Sequence, residues 1–100
     1  MKVIYYIGDS IGLDTVVSKG TINENELPLR ICSKEQQIIL NNISSVETIK
    51  INGLGTMLKI KNGDQTIFLA VYRMYLNIGT GFAIINLSAT LKLREILRNR

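Results

Sequence analysis

The strongest indication of the fold lies in residues 56–72, which read TMLKIKNGDQTIFLAVY. Leu58 and Ile60 alternate with Met57, Lys59 and Lys61, the period-two pattern of a strand. The dipeptide Asn62-Gly63 follows, and it is favoured in two-residue type I′ turns because both positions need a positive φ. The return segment 65–73 is apolar on both faces, which is typical of a strand covered on both sides. This stretch therefore predicts a β-hairpin whose second strand is central in a sheet.

The sequence on either side of this hairpin predicts further short strands. It is rich in β-branched residues and its turn signals are closely spaced. The predicted strands are 2–7, 15–23, 27–32, 36–40, 45–51 and 82–85. Gly20 predicts a bulge or a sharp bend inside its strand, and Pro28 predicts an edge position or a strand start. Residues 74–81 are expected to form a loop.

One amphipathic helix is predicted at the C-terminal end. Asn86 or Ser88 can cap it, and it runs to about Asn99. Its apolar face combines four residues at helical spacing: Ala89, Leu93, Ile96 and Leu97. Such a face needs a sheet to pack against.

Length and composition indicate one folded domain, residues 1–100. The chain is 46% hydrophobic and 20% charged, which excludes a disordered or low-complexity protein. The single cysteine, Cys32, cannot form an internal disulfide, which favours a reducing cytoplasm. The apolar window 67–85 is long enough to cross a bilayer, but Arg73 and the polar and glycine residues near its middle disfavour a membrane span.

One motif resembles a catalytic sequence. Gly8-Asp9-Ser10-Ile11-Gly12 matches the G-x-S-x-G pattern of a nucleophile elbow and follows a predicted strand. A catalytic serine needs a base, normally a histidine, and the chain contains no histidine. The motif is therefore interpreted as a turn after a strand. The sequence predicts no enzyme, no cofactor and no metal site.

Charge is unevenly distributed along the chain. Residues 1–50 carry five basic and six acidic residues, whereas residues 51–100 carry seven basic and two acidic residues, a formal charge of +5. Four cations lie near the C-terminus and are the candidate anion- or lipid-binding residues: Lys92, Arg94, Arg98 and Arg100. The alternative is that they complement the helix dipole and keep the helix solvated. Nucleic acid is not expected as a partner, because Tyr5 and Tyr6 point to opposite faces and no basic residues interleave them.

Over about residues 15–98 the chain resembles bacterial pleckstrin-homology (PH) and GRAM-type domains. The resemblance lies in patterns of hydrophobicity in four segments: 19–31, 37–46, 58–72 and 87–97. It implies a mainly β fold, a bent antiparallel PH-like β-barrel closed by one C-terminal amphipathic helix. Such domains bind phospholipid headgroups, peptides or partner proteins.

The resemblance also limits the ligand. Phosphoinositide-binding members carry basic residues between their first two strands, where the resemblance aligns the acidic turn 23–26. We therefore expect a non-enzymatic binding or scaffolding module that acts through protein–protein contacts or self-association. The alternative is peripheral association with anionic membrane through the basic C-terminal half.

Overall fold

The computed structural model describes residues 1–12, 14–77 and 80–99, and the backbone alone for 75–77 and 80–83. The elements of this described part follow in chain order. They are β1 (Lys2–Ile7), β2 (Ser18–Ile22), β3 (Leu29–Cys32), β4 (Gln37–Leu40), β5 (Ile43–Ile51), β6 (Gly55–Asn62), β7 (Gln65–Asn77), β8 (Thr80–Ile85) and α1 (Leu87–Arg98). The predicted fold class, a bent antiparallel sheet followed by one helix, is confirmed.

The sheet is curled into a half-barrel. Its strands follow the order β4-β3-β2-β1-β7-β6-β5, and all pairs are antiparallel. In a flat sheet of seven strands the two end strands would lie roughly 29 Å apart. Here Leu40 of β4 and Val46 of β5 belong to the same buried cluster. The sheet must therefore bend round so that both of its ends contribute to one core.

The predicted hairpin forms β6 and β7, and β7 is central between β1 and β6. The turn type differs from the prediction. Asn62 pairs with Gln65, so the central turn residues are Gly63 and Asp64. Gly63 has a φ of 61°, and no described residue other than glycine has a positive φ. This is the pattern of a type II′ turn, not a type I′ turn.

Asn62 holds the curled sheet closed at this turn. Its side chain is buried, its Oδ1 accepts a hydrogen bond from the Asn42 N–H (3.1 Å), and its Nδ2 donates to the Ile39 carbonyl (3.0 Å). The Gly63 N–H also donates to the Asn42 carbonyl, at 2.9 Å. These bonds link the β6–β7 turn to the end of β4. They explain why the turn lies one residue later than its local sequence suggests.

Gly20 serves a close approach between strands. The register of β1 with β2 runs through Gly20 without a shift, so of the two predicted alternatives, a bulge or a sharp bend, the bulge is wrong. A Cβ at this position would lie 2.8 Å from the Cys32 carbonyl oxygen and 3.2 Å from Ile31 Cγ2. Only glycine lets β3 approach β2 so closely.

Both faces of the central strands are buried. The interior of the half-barrel contains Val3, Ile31, Leu58 and Leu69 among others. A smaller cluster on the outer face consists of Ile4, Met57, Phe68 and Ala70. Its partly buried neighbours include side chains from the β1–β2 connection, β5 and β8: Ile11, Val17, Ile49 and Ile85. The apolar run of β7 is therefore explained by cover on both sides, as predicted.

The helix packs its apolar face against β5, β6 and β7. Asn86 is the N-cap, and its Oδ1 accepts a hydrogen bond from the Ala89 N–H. Leu93 and Leu97 are buried in the core, as the helical pattern predicts. Thr90 is also buried, and its Oγ1 accepts a hydrogen bond from the Val71 N–H at 3.0 Å. The helix is thus joined to the middle of β7 by a side chain as well as by apolar contact.

The region 74–81 is not the predicted loop. β7 continues to Asn77, and β8 pairs with this extension from Tyr72–Ile85 to Asn77–Thr80. The predicted strand at 82–85 is confirmed as the second part of β8. We call the paired segments Tyr72–Asn77 and Thr80–Ile85 the ribbon.

Candidate functional site

The predicted cations of the helix do not form one cluster. Lys92 and Arg94 are separated by about 200° around the helix axis, so they lie on opposite sides. Lys92 Nζ lies 3.9 Å from Glu24 Oε2 in the β2–β3 connection. Arg94 and Arg98 instead face β5. Arg100 lies outside the described residues.

The two described arginines of α1 both make contacts within the domain. Arg94 Nη1 donates to Thr48 Oγ1 at 3.1 Å, and Arg94 Nε lies 3.2 Å from Glu95 Oε1. Arg98 Nη2 donates to the Val46 carbonyl at 3.0 Å. Because Val46 is in an end strand of the sheet, Arg98 occupies a backbone acceptor that an edge leaves without a strand partner. These side chains hold the helix on β5.

Three other lysines share a groove on the outer face of the sheet. We call it the lysine groove. It has a volume of about 400 Å³ and is lined by Lys2, Lys19, Gly20, Thr21, Cys32, Ser33, Lys34 and Tyr72. Within the described residues, none of the three lysines forms a salt bridge.

Strand pairing explains how this groove forms. Lys2 lies opposite Thr21, and Thr21 lies opposite Cys32, so the three side chains share one face. Lys19 is two residues before Thr21 and points the same way. This is the outer face, because Val3 and the other alternate residues point into the core. Lys34 reaches the groove from the β3–β4 connection.

Sequence reasoning missed the lysine groove for a clear reason. Its lysines lie in the half of the chain with a net negative charge, and they are far apart in sequence. Only the register between β1, β2 and β3 brings them together. The one sequence signal was the alternation of Lys19 and Thr21 on a predicted strand, and it becomes informative only when the pairing is known.

The tyrosines are divided between the two faces, as predicted. Tyr5 is buried in the core and its hydroxyl donates to Ser33 Oγ at 2.9 Å. Tyr6 packs on the outer face, where its ring centroid is 6.5 Å from that of Phe68. Tyr72 lies beneath Lys19, whose Nζ is 5.8 Å from the ring centroid. This distance allows a cation–π contact that positions the Lys19 side chain.

The candidate catalytic motif lies at the end of β1. The Gly8 N–H donates to the Thr66 carbonyl, and Ser10 is exposed in the connection that follows. In the part of the chain that the structure describes, the Ser10 hydroxyl has no hydrogen-bond partner. The motif follows a strand, as the sequence interpretation has it, and Ser10 lies in an irregular part of the connection between β1 and β2.

Two further observations concern the described residues only. They contain no group of three or more histidine, cysteine or carboxylate side chains close enough to hold a metal ion. None of their helices combines the length and apolar character needed to span a membrane.

The acidic turn 23–26 connects β2 to β3. It is therefore the second connection of the fold, not the one between the first two strands. The first connection, 8–17, contains Asp9 and Asp14 and no lysine or arginine. The first connection therefore has no basic cluster either.

The ribbon and the start of α1 leave described apolar side chains exposed. β1 last pairs with β7 at Val71, and β6 at Leu69, so the ribbon has no strand on either side among the described residues. Met74 is 40% exposed, Ile84 46% and the adjoining Leu87 52%. No charged residue occurs between Arg73 and Lys92.

Comparison with known proteins finds no family model, curated protein or solved structure that matches this chain.

Proposed function

We propose that this protein is a non-enzymatic, PH-like binding module of the cytoplasm that acts through protein–protein contacts, and that it self-associates through the ribbon. The antiparallel half-barrel with one C-terminal helix supports the PH-like part of the proposal. The free thiol of Cys32 is compatible with a reducing compartment. The observation that carries the proposal is the ribbon, whose edges have no strand partner among the described residues and whose Met74 and Ile84 side chains are exposed.

Unpaired strand edges are normally protected. Folded proteins place lysine, proline or a bulge on such edges, because exposed N–H and C=O groups pair readily with another chain. In the ribbon, Arg73 at its base is the one charged residue, and there is no proline. Within the ribbon, β7 pairs with β8 regularly from Tyr72 to Asn77, without a bulge. The ribbon therefore lacks the features that prevent edge-to-edge pairing.

A partner strand would also stabilise a two-stranded ribbon. Isolated hairpins are marginally stable in water, and three or more strands are needed for independent stability. A second copy supplies the same edge in the opposite direction, and a twofold axis makes the two edges complementary. Side chains of the added strand would cover part of Met74 on one face of the ribbon and part of Ile84 on the other. The partner proposed is therefore a second copy of this chain.

The test measures the mass of the full chain in solution as a function of concentration, by sedimentation equilibrium. We expect the wild type to form dimers as the concentration rises. Ile84→Lys places a charge on the ribbon and should leave the protein monomeric. Ile39→Lys is the matched control, because Ile39 is 43% exposed, close to the 46% of Ile84, but lies in β4.

Two results would contradict self-association through the ribbon. One is a wild type that stays monomeric at all concentrations. The other is a dimer that Ile39→Lys abolishes and Ile84→Lys does not, since this would assign the contact to β4. Circular dichroism of both variants checks that each keeps its fold.

The second candidate is peripheral association with anionic membrane through the C-terminal half. The charge of +5 in residues 51–100 and the 67% exposed side chain of Lys92 favour it. Sedimentation with vesicles of phosphatidylcholine and phosphatidylserine at low salt tests it. Lys92→Gln should weaken the binding, and vesicles that leave all the protein in solution would exclude this function.

A further inference from the structure

We infer that the lysine groove is an anion-binding site that takes a phosphate group. It lies on the outer face of β1, β2 and β3, touches the ribbon only at Tyr72, and is lined by none of the helix cations. The inference does not depend on self-association. Its basis is the convergence of three lysines on one concave surface without a carboxylate in its lining.

The lysines of the groove differ from the described cations of the helix in their contacts. Lys2, Lys19 and Lys34 are exposed, and none has an acidic partner among the described residues. The cations of the helix, by contrast, contact Glu24, Glu95, Thr48 or a backbone carbonyl. Three cations that line one open depression without a carboxylate give it a positive local potential, which favours an anion. The ligand class is therefore anionic.

The carboxylate nearest in sequence to the groove lies beyond its edge. Glu35 lines a neighbouring depression, which shares Lys19, Ser33 and Lys34 with the groove. The Glu35 N–H donates to Ser33 Oγ, which fixes the backbone of this connection. The groove itself stays lined by cations and neutral groups.

The other lining groups suit a phosphate ester more than a bare ion. Tyr72 offers an aromatic surface at the base of Lys19, and Thr21 offers an exposed hydroxyl. Lysine ammonium groups act as point charges toward phosphate oxygens and hydrogen-bond to them. A volume of about 400 Å³ accommodates a phosphate group together with part of the molecule that carries it. Such a group can come from a soluble metabolite or from a lipid headgroup.

The first test is a titration of the isotope-labelled full chain with inorganic phosphate and with glycerol 3-phosphate, followed by amide NMR shifts at constant ionic strength. We expect saturable shifts at Thr21, Cys32 and Lys34. Lys19→Gln combined with Lys34→Gln should weaken binding roughly tenfold or more, since each substitution removes a charge-assisted hydrogen bond. The matched control combines Lys50→Gln with Lys61→Gln, two exposed lysines of β5 and β6 with the same total charge.

Cys32 provides a second readout, because it is the one cysteine of the chain and lines the groove. Alkylation by N-ethylmaleimide, a neutral reagent, should slow when glycerol 3-phosphate is bound. The slowing should disappear in the doubly substituted groove variant and persist in the control variant. A rate that glycerol 3-phosphate does not change in the wild type would count against occupation of the groove.

Vesicles distinguish the two sources of the phosphate. Phosphatidylcholine vesicles with phosphatidic acid present a phosphate monoester, whereas those with phosphatidylserine present a diester. Binding to phosphatidic acid that the groove variant loses identifies a headgroup, and binding of glycerol 3-phosphate alone identifies a soluble ligand. Both results support the groove as a phosphate site.

The inference is overturned if neither phosphate compound gives saturable shifts and vesicle binding is the same in the groove variant as in the wild type. It is also overturned if the Lys50 and Lys61 control loses as much affinity as the groove variant. That result would show a general effect of net charge. Ile84→Lys should bind phosphate like the wild type, so failure of the ribbon proposal and failure of this one are distinguishable.

Discussion

The two halves of β7 belong to one continuous strand but differ in sequence and in surroundings: residues 66–71 are almost wholly apolar, whereas residues 72–77 include Arg73 and Asn77. Residues 66–71 lie between β1 and β6, and their side chains are at most 7% exposed. Beyond Val71, β7 pairs with β8 alone among the described residues, and Met74 is 40% exposed. The comparison teaches that burial changes along one continuous strand at the point where its neighbouring strands end. The neighbouring strands and the helix decide which part becomes core and which part stays available for contact.

The largest effect on stability is expected in residues 66–71, the inner half of β7. Leu69→Ala removes a fully buried side chain opposite Leu58, and should lower the free energy of unfolding by about 2–5 kcal/mol because it leaves a cavity in a packed core. Urea denaturation followed by circular dichroism measures it. A loss below about 1 kcal/mol would contradict the assignment of this half to the core.

An intermediate effect on stability is expected at Val71, where the two halves of β7 meet. Thr90→Val keeps the shape of the side chain but removes the acceptor of the Val71 N–H, which should cost about 1–3 kcal/mol. Thr21→Val, at an exposed position of β2 where the hydroxyl has no hydrogen-bond partner among the described residues, is the control and should change stability by less than about 0.5 kcal/mol. Equal effects of the two substitutions would show that Thr90 does not hold the junction.

The smallest effect on stability is expected in residues 72–77, the outer half of β7. Met74→Ala should change the stability of the monomer by less than about 0.5 kcal/mol, because the side chain is exposed. The measurement is made at low protein concentration, since the apparent stability of a self-associating protein depends on concentration. If Met74→Ala destabilised the monomer as much as Leu69→Ala, the two halves would not differ.

Local sequence patterns predicted most helices and strands, because the formation of these elements depends on residues close together in the chain. The alternation of Leu58 and Ile60 and the helical spacing of Leu93 and Leu97 reflect the periods of strand and helix. The extension of β7 was not predictable in this way. Gly79 and Gly81 interrupt the apolar pattern, and the pairing with β8 depends on a register that no local signal specifies.

The candidate sites were less predictable than the fold. The helix cations are adjacent in sequence and were therefore prominent, yet the fold places them against Glu24 and β5. The lysines of the groove are separated in sequence and meet only through strand pairing. Charge clusters on a β surface depend on register, which is a long-range property.

By itself, the sequence determined the class of the fold, the hairpin, the capped helix and the two-sided burial of β7, because period and composition limit which faces can be buried. Tertiary structure decided the turn at Gly63, where hydrogen bonds from buried Asn62 to Ile39 and Asn42 fix the pairing. It also decided the close approach at Gly20, the ribbon and the lysine groove. Each of these depends on contacts between segments distant in sequence, and local preferences are too weak to specify such contacts.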